Sequence, residues 1–215
     1  MLKAYVFDFE GTLVDFQYDL EQSMKATKDK LEEMGFDKEW LMKTDSYAKL
    51  YNDAVIAALM RRVALSSSEV REKLGEVWDY WDLDAATRWQ LKENAKDTLS
   101  RLHRRATVGL YTSVGWKAVT KVLEKYEVDR LFHIVITRDD TTLIKPYNEG
   151  LRLILDFLEI SPGEMLFIGD SVKDVAAAEA IGAQSAFLVG GEQALPPDVK
   201  PDHIIRSMSD ILKIE

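Results

Sequence analysis

Short apolar runs of strand length recur at both ends of this chain, and a long stretch of helical period lies between them. AYVF leads to Asp8, TVGLY to Thr112, a run through HIVIT towards Lys145, and MLFIG to Asp170. Leu2 to Phe9 reads as a short buried strand, and Gly11-Thr12 as the turn that leaves it. After about Arg88 a helix over Leu91 to His103 returns to TVGLY. From there strand HIVIT, helix LRLILDFLE, strand MLFIG, helix VAAAEAIG, strand SAFLVG and strand HII alternate to the end. Leu151, Ile154, Leu155 and Leu158 stand at i, i+3, i+4 and i+7, the stripe of a helix packed on a sheet. This alternation predicts βα units and a parallel sheet, hence an α/β fold.

The segment from about Phe16 to Ala86 has a different pattern. It is charged, rich in Met and Trp, and free of Pro. Leu20, Met24, Leu31 and Met34 recur on one helical face, and Leu50, Ala54, Ala57 and Ala58 on another. Ser66-Ser67-Ser68-Glu69 offers N-cap residues for a further helix carrying Val70, Leu74 and Trp78. The prediction is an all-helical insertion that splits the sheet in sequence, with one strand before it and the others after it.

The residues that follow the strand runs carry the candidate chemistry. In an open parallel sheet the carboxyl ends of the strands share one edge, and a ligand crevice opens where the strand order reverses. Asp8, Thr112, Lys145 and Asp170 are therefore expected to meet. Two carboxylates, an ammonium and a hydroxyl in one crevice suit a magnesium-dependent phosphoryl-transfer centre with an aspartate nucleophile.

Four motifs, DFEGTLVD, LYTSVG, IKPYNEG and GDSVKDVAAA, occur in that order and resemble those of the haloacid dehalogenase superfamily, a group dominated by phosphatases. The resemblance runs from Met1 to about Ile211. It implies a Rossmann-like parallel-sheet core over 1–15 and 87–215, with an inserted helical cap over 16–86 that closes over the crevice. It assigns Asp8 as nucleophile, forming an aspartyl-phosphate, and Glu10 as general acid and then general base. Thr112 and Ser113 would hold phosphoryl oxygens, and Lys145 would offset charge between nucleophile and phosphoryl group. Mg²⁺ would take Asp8, the backbone carbonyl of Glu10 and Asp170, with Asp174 in an outer role. The family's phosphatases usually carry Asp where this chain has Glu10. Glu keeps the chemistry but moves the carboxyl outward by on the order of one C–C bond.

The reading that follows is a magnesium-dependent phosphomonoester hydrolase acting on a small phosphorylated metabolite. Two alternatives use the same residues: a phosphosugar mutase, or a non-catalytic phosphate-ligand binding or regulatory protein in which Glu10 has removed the acid/base.

Composition narrows the picture further. With 215 residues, 47% of them hydrophobic, the chain has enough material for one well-packed domain plus a modest insertion. The absence of cysteine excludes disulfides, thiolate metal sites and cysteine nucleophiles, and fits a reducing cytosol. A net charge of −9 argues against nonspecific nucleic-acid binding. No apolar run approaches the roughly 18–20 residues of a membrane span, and MLKAYVFDFEG enters a strand at once, so a cytoplasmic location is expected. His103, His133 and His203 lack metal-ligand spacing, and Arg101, Arg104 and Arg105 suit a helix C-terminus. Trp78, Trp81 and Trp89 read as core. Tyr18, Lys43, Arg61 and Arg62 are candidates for substrate contact, and the oligomeric state stays open.

Overall fold

The first strand, β1 (Ala4–Phe7), is buried at every position, as a strand covered on both faces must be. Tyr5 and Phe7 enter one apolar cluster, while Ala4 and Val6 enter another on the opposite face. In this computed structural model, which describes residues 1–190 and 194–214, five more strands join it: β2 (Thr107–Tyr111), β3 (Ile134–Ile136), β4 (Met165–Gly169), β5 (Gln184–Leu188) and β6 (His203–Ile205). The order is β3-β2-β1-β4-β5-β6, and every pairing is parallel. The α/β reading holds, and residues 191–193 and 215 of the expected core segment lie outside the described ones.

The order reverses at β1, which pairs with β2 on one side and β4 on the other. Phe7 is in register with Leu110 and with Ile168, so the residues after these three strands emerge together at one edge. That edge is where the topology opens a crevice.

Between β1 and β2 lie α1 (Leu20–Glu33), α2 (Lys38–Lys43), α3 (Tyr47–Leu59) and α4 (Ser67–Ala86), followed by α5 (Ala95–His103). The starts of α1 to α4 are capped by Asp19, Asp37, Ser46 and Ser66, each accepting a backbone N–H two or three residues into the helix. Ser66 and Glu69 form a reciprocal capping box. Leu31, Leu50, Val70, Leu74 and Trp78 build a separate apolar cluster in the insertion. The last residues of α4, Ala85 and Ala86, belong instead to the cluster on the sheet. One long helix thus joins both bodies.

The remaining helices, α6 (Trp116–Lys125), α7 (Glu149–Leu158) and α8 (Val172–Glu179), cover the sheet. Val119 and Val122 of α6 pack on the Tyr5/Phe7 face, and Leu151 and Ile154 of α7 on the Ala4/Val6 face. Among the described residues, no helix is long and apolar enough to cross a membrane.

Two expectations need correction. The helix placed at Leu91 begins at Ala95, because Leu91 bridges to Val14 and the adjacent Lys92 N–H donates to the Leu13 carbonyl (2.8 Å). Here the chains leaving and re-entering the core run side by side. Leu20 is exposed, since the buried row of α1 is Ser23, Thr27 and Leu31. Two polar residues are tolerated there because Thr27 Oγ1 donates to the Ser23 carbonyl (2.7 Å) and accepts from the Trp78 indole N–H (3.0 Å).

Candidate active site

Asp8 follows β1 directly, and its own N–H is fixed by the Ile168 carbonyl of β4 at 2.8 Å. The chain then turns sharply through Gly11, whose φ of +80° favours glycine. A Cβ there would stand 2.2 Å from Asp170 Oδ2, so only glycine lets this turn lie against the acid that follows β4. Thr12 Oγ1 completes the contact by donating to Asp170 Oδ1 at 3.1 Å. The two motifs farthest apart in sequence are therefore locked together.

Lys145 comes from the loop between β3 and α7 and not from a strand tip. Its ammonium is buried and donates to Asp8 Oδ1 and, at 2.7 Å, to Asp174 Oδ1. Asp174 Oδ2 accepts from the backbone N–H (3.0 Å) and the hydroxyl (2.5 Å) of Ser171. Both oxygens of Asp174 are thus committed, to the lysine and to the N-terminus of α8. Gly169 makes room for this side chain, since a Cβ would lie 2.3 Å from Asp174 Cγ.

Thr112 follows β2, with its N–H donating to the Ile136 carbonyl at 3.0 Å. Its hydroxyl oxygen accepts from Val114 N–H at 3.1 Å, closing a turn and not capping α6, whose N-cap is Gly115. Asp8, Glu10, Thr112, Ser113, Lys145 and Asp170 all line one cavity of about 70 Å³, together with Val114, Ser171 and Lys173. A larger cavity, about 710 Å³, is lined by residues including Arg71, Lys117 and Asp139 and holds none of the strand-end residues. Its size carries no chemistry, and the smaller one is the candidate site.

Oxygens of Asp8, Asp170 and Asp174, all buried, lie within 4.8 Å of one another. Burial pushes Asp8 up to about 7; the Lys145 ammonium opposes this, while Asp174 and Asp170 add to it. Burial would lower Lys145, but Asp174 and Asp8 more than offset it and hold the amine above its ordinary value, firmly protonated. Three buried acids around one ammonium leave excess negative charge, and hard oxygen donors of this kind fit a divalent cation.

Among the described residues the histidines form no such cluster, although His103 and His133 stack at 4.5 Å between ring centroids. Tyr18, Lys43, Arg61 and Arg62 do not line the cavity. The Tyr18 hydroxyl instead hydrogen-bonds that of Tyr47 at 2.6 Å, and burial raises its pKa.

Several residues that hold the site in place carried no sequence signal. Asn52 of α3 donates to the Ile144 carbonyl (3.0 Å) and accepts from Ile144 N–H (2.9 Å), clasping the backbone next to Lys145. Asp82 of α4 accepts from Gly115 N–H (2.9 Å) and from Arg138 Nη1 (2.7 Å). Arg138 also donates to Asp79 (2.8 Å) and to the Ser113 carbonyl (3.2 Å). Trp89, just beyond α4, donates its indole N–H to Glu10 Oε1 at 3.1 Å. Each is an ordinary helix or loop residue until tertiary structure brings it to the site.

The chain is similar to known proteins over nearly its whole length. A phosphoglycolate phosphatase of Aliivibrio fischeri is 25% identical over 221 residues, covering 99% of this chain and 96% of that protein. One of Salmonella paratyphi A is 37% identical over 120 residues, 54% of this chain and 47% of that protein. A solved haloacid dehalogenase superfamily hydrolase of subfamily IA from Geobacter sulfurreducens shares the fold, with a TM-score of 0.65 at 23% identity and 100% of both chains covered. The model of haloacid dehalogenase-like hydrolases matches residues 2–182, which takes in the strand ends at Asp8, Thr112 and Asp170 and the loop at Lys145, and the chain belongs to that family.

Proposed function

We propose that this protein is a magnesium-dependent phosphomonoester hydrolase for a small phosphorylated metabolite, working through an aspartyl-phosphate on Asp8. The observation that carries the reading is the convergence of a buried Asp8–Lys145–Asp174 ion-pair system with Asp170, Thr112, Ser113 and Glu10 around one small cavity.

In the first step an Asp8 oxygen attacks phosphorus while the bond to the leaving oxygen breaks and Glu10 gives that oxygen a proton. In the second, Glu10 takes a proton from water, whose oxygen attacks phosphorus and frees the Asp8 carboxylate with release of phosphate. Lys145 stays charged throughout and offsets the negative charge gathered between nucleophile and phosphoryl group. The Thr112 hydroxyl and Ser113 hold phosphoryl oxygens.

Asp8, Asp170 and the Glu10 carbonyl would hold Mg²⁺, and the commitment of both Asp174 oxygens leaves that residue an orienting role. When bound, the cation supplies charge neutralisation and keeps Asp8 in its ionised, nucleophilic form. The insertion, over 16–86, serves as the lid that sheds water from this cavity. Phosphoglycolate, named in two relatives, is the first substrate to try.

The test is Mg²⁺-dependent phosphate release from phosphoglycolate and a broad phosphomonoester panel, comparing wild type, Asp8→Asn and Glu10→Asp. The reading expects turnover in wild type and a loss of about 10⁴-fold or more in Asp8→Asn with the fold intact. Turnover surviving in pure Asp8→Asn protein overturns the nucleophile. A silent wild type whose Glu10→Asp variant turns over replaces the enzyme with a phosphate-ligand binding protein.

A further inference from the structure

Glu10 is longer by one methylene than the aspartate usual at its position, and a longer side chain has one more torsion to be fixed before its carboxyl can work. The structure contains a group that fixes it. Trp89 Nε1 stands 3.1 Å from Glu10 Oε1, while Glu10 still lines the cavity with Asp8 and Lys145. An indole N–H can only donate, so a carboxylate oxygen is the partner it selects.

The tryptophan is itself held from several directions. It is fully buried, and its ring meets Phe9, the residue between Asp8 and Glu10, edge-on at 5.3 Å and 89°. Its carbonyl accepts from the Tyr126 hydroxyl at 3.0 Å, and its N–H donates to the Ala85 carbonyl of α4 at 3.0 Å. A donor this constrained imposes its position on the flexible partner and not the reverse.

We propose that Trp89 is the positioning residue of Glu10, its buried indole N–H anchoring one carboxylate oxygen so that the longer side chain presents its carboxyl at the reacting oxygen. This rests on the phosphatase reading, in which Glu10 is the proton donor and acceptor. The shorter Asp would draw its oxygens back by about one bond length and lose the indole, so the two residues are matched as a pair.

A double-mutant cycle on 4-nitrophenyl phosphate with Mg²⁺ tests the match. In the Glu10 protein, Trp89→Phe should lower kcat by roughly 10- to 100-fold, the scale of a misplacement of about 1 Å, with KM within about twofold. In the Glu10→Asp background the same change should cost kcat less than about threefold. Equal losses in both backgrounds would make Trp89 a packing residue only and overturn the proposal while leaving the phosphatase reading intact. A wild type that releases no phosphate from any monoester overturns both. Should Trp89→Phe fail to fold, replacing Trp89 by benzothienylalanine keeps the ring's shape and removes only the N–H. The same kcat loss confined to the Glu10 background is then expected, and unchanged kcat overturns the proposal.

Discussion

Replacing Arg138 by Met should unfold the protein more readily than any change on its exposed faces. The guanidinium is 2% exposed and lies 2.7 Å from Asp82, whose side chain is 3% exposed, and 2.8 Å from Asp79. At 2.7 Å and an effective dielectric of about 20, the attraction to Asp82 alone is roughly 6 kcal/mol before desolvation is charged against it. Met keeps much of the stem's volume and removes the cation, leaving the Asp82 carboxylate buried with only Gly115 N–H for company. Breaking one side of such a pair costs about 3–5 kcal/mol. A whole domain commonly has only about 5–15 kcal/mol. Burial already raises Asp82 above the ordinary carboxylate range while Arg138 holds it down, so without Arg138 it rises further. The folded variant then binds a proton that the unfolded chain has released, and its deficit grows as pH rises above the ordinary Asp value. Urea unfolding followed by circular dichroism at pH 5 and pH 8 reads both effects. Arg138→Met/Asp82→Asn, which keeps a carbonyl for Gly115 N–H, should recover about half the loss at pH 8. A deficit below about 1 kcal/mol, or one that does not change with pH, would refute the reasoning.

Two further outcomes follow from the same coordinates. In protein stripped of divalent ions, the Asp8 carboxyl pushed up to about 7 keeps a proton that the unfolded chain loses near pH 4. Stability should therefore fall as pH rises from about 4 through about 7, and Asp8→Asn should flatten that slope in unfolding curves taken with EDTA. Asn52→Leu removes both hydrogen bonds to Ile144, strands its buried N–H beside Lys145 and leaves its carbonyl to Tyr147 N–H at 3.2 Å. It should cost about 1–3 kcal/mol in urea and depress kcat more than KM in phosphate release; a kcat within twofold of wild type would show that the clasp does not set the lysine.

The strand ends were legible because a strand buried on both faces must be an unbroken apolar run, and the first polar residue beyond it marks the sheet's edge. Asp8, Thr112 and Asp170 were found that way. Lys145 is grouped with them through the HIVIT run, but it lies in a loop beyond β3 and not at a strand end, and only the motif around it separates it from any surface lysine. The residues that hold these groups gave no such signal. Asn52 sits in an otherwise ordinary helix, and Arg138 lies in TRDD, among three consecutive charged residues. Whether an arginine is exposed or nearly enclosed depends on what folds over it, and here that is α4, more than 50 residues away along the chain. Trp89 is core, as its apolar bulk implies, but apolar burial does not say where the one polar atom of an indole points. The misplaced start of α5 has the same origin: Leu91 fits a helical stripe, yet its backbone is used by Val14.

The insertion's contacts with the core also limit how it can move against the sheet. Ala85, Ala86 and Trp89 pack in the sheet cluster, and Asp79 and Asp82 lie in the last turns of the same helix, so this end of α4 is tied to the core by both burial and charge. The Asn52 clasp is different, because it rests on two hydrogen bonds and on Ile144 entering the insertion's own cluster. An insertion that pivoted near Arg138 would have to release Ile144, and the peptide it releases is the one joined to Lys145. Movement of the insertion and the placement of Lys145 are then a single event. An apolar contact surface would allow the insertion to slide by fractions of a turn, whereas a two-bond clasp on one backbone position admits one register only. In this arrangement the docked insertion and the placement of Lys145 imply each other.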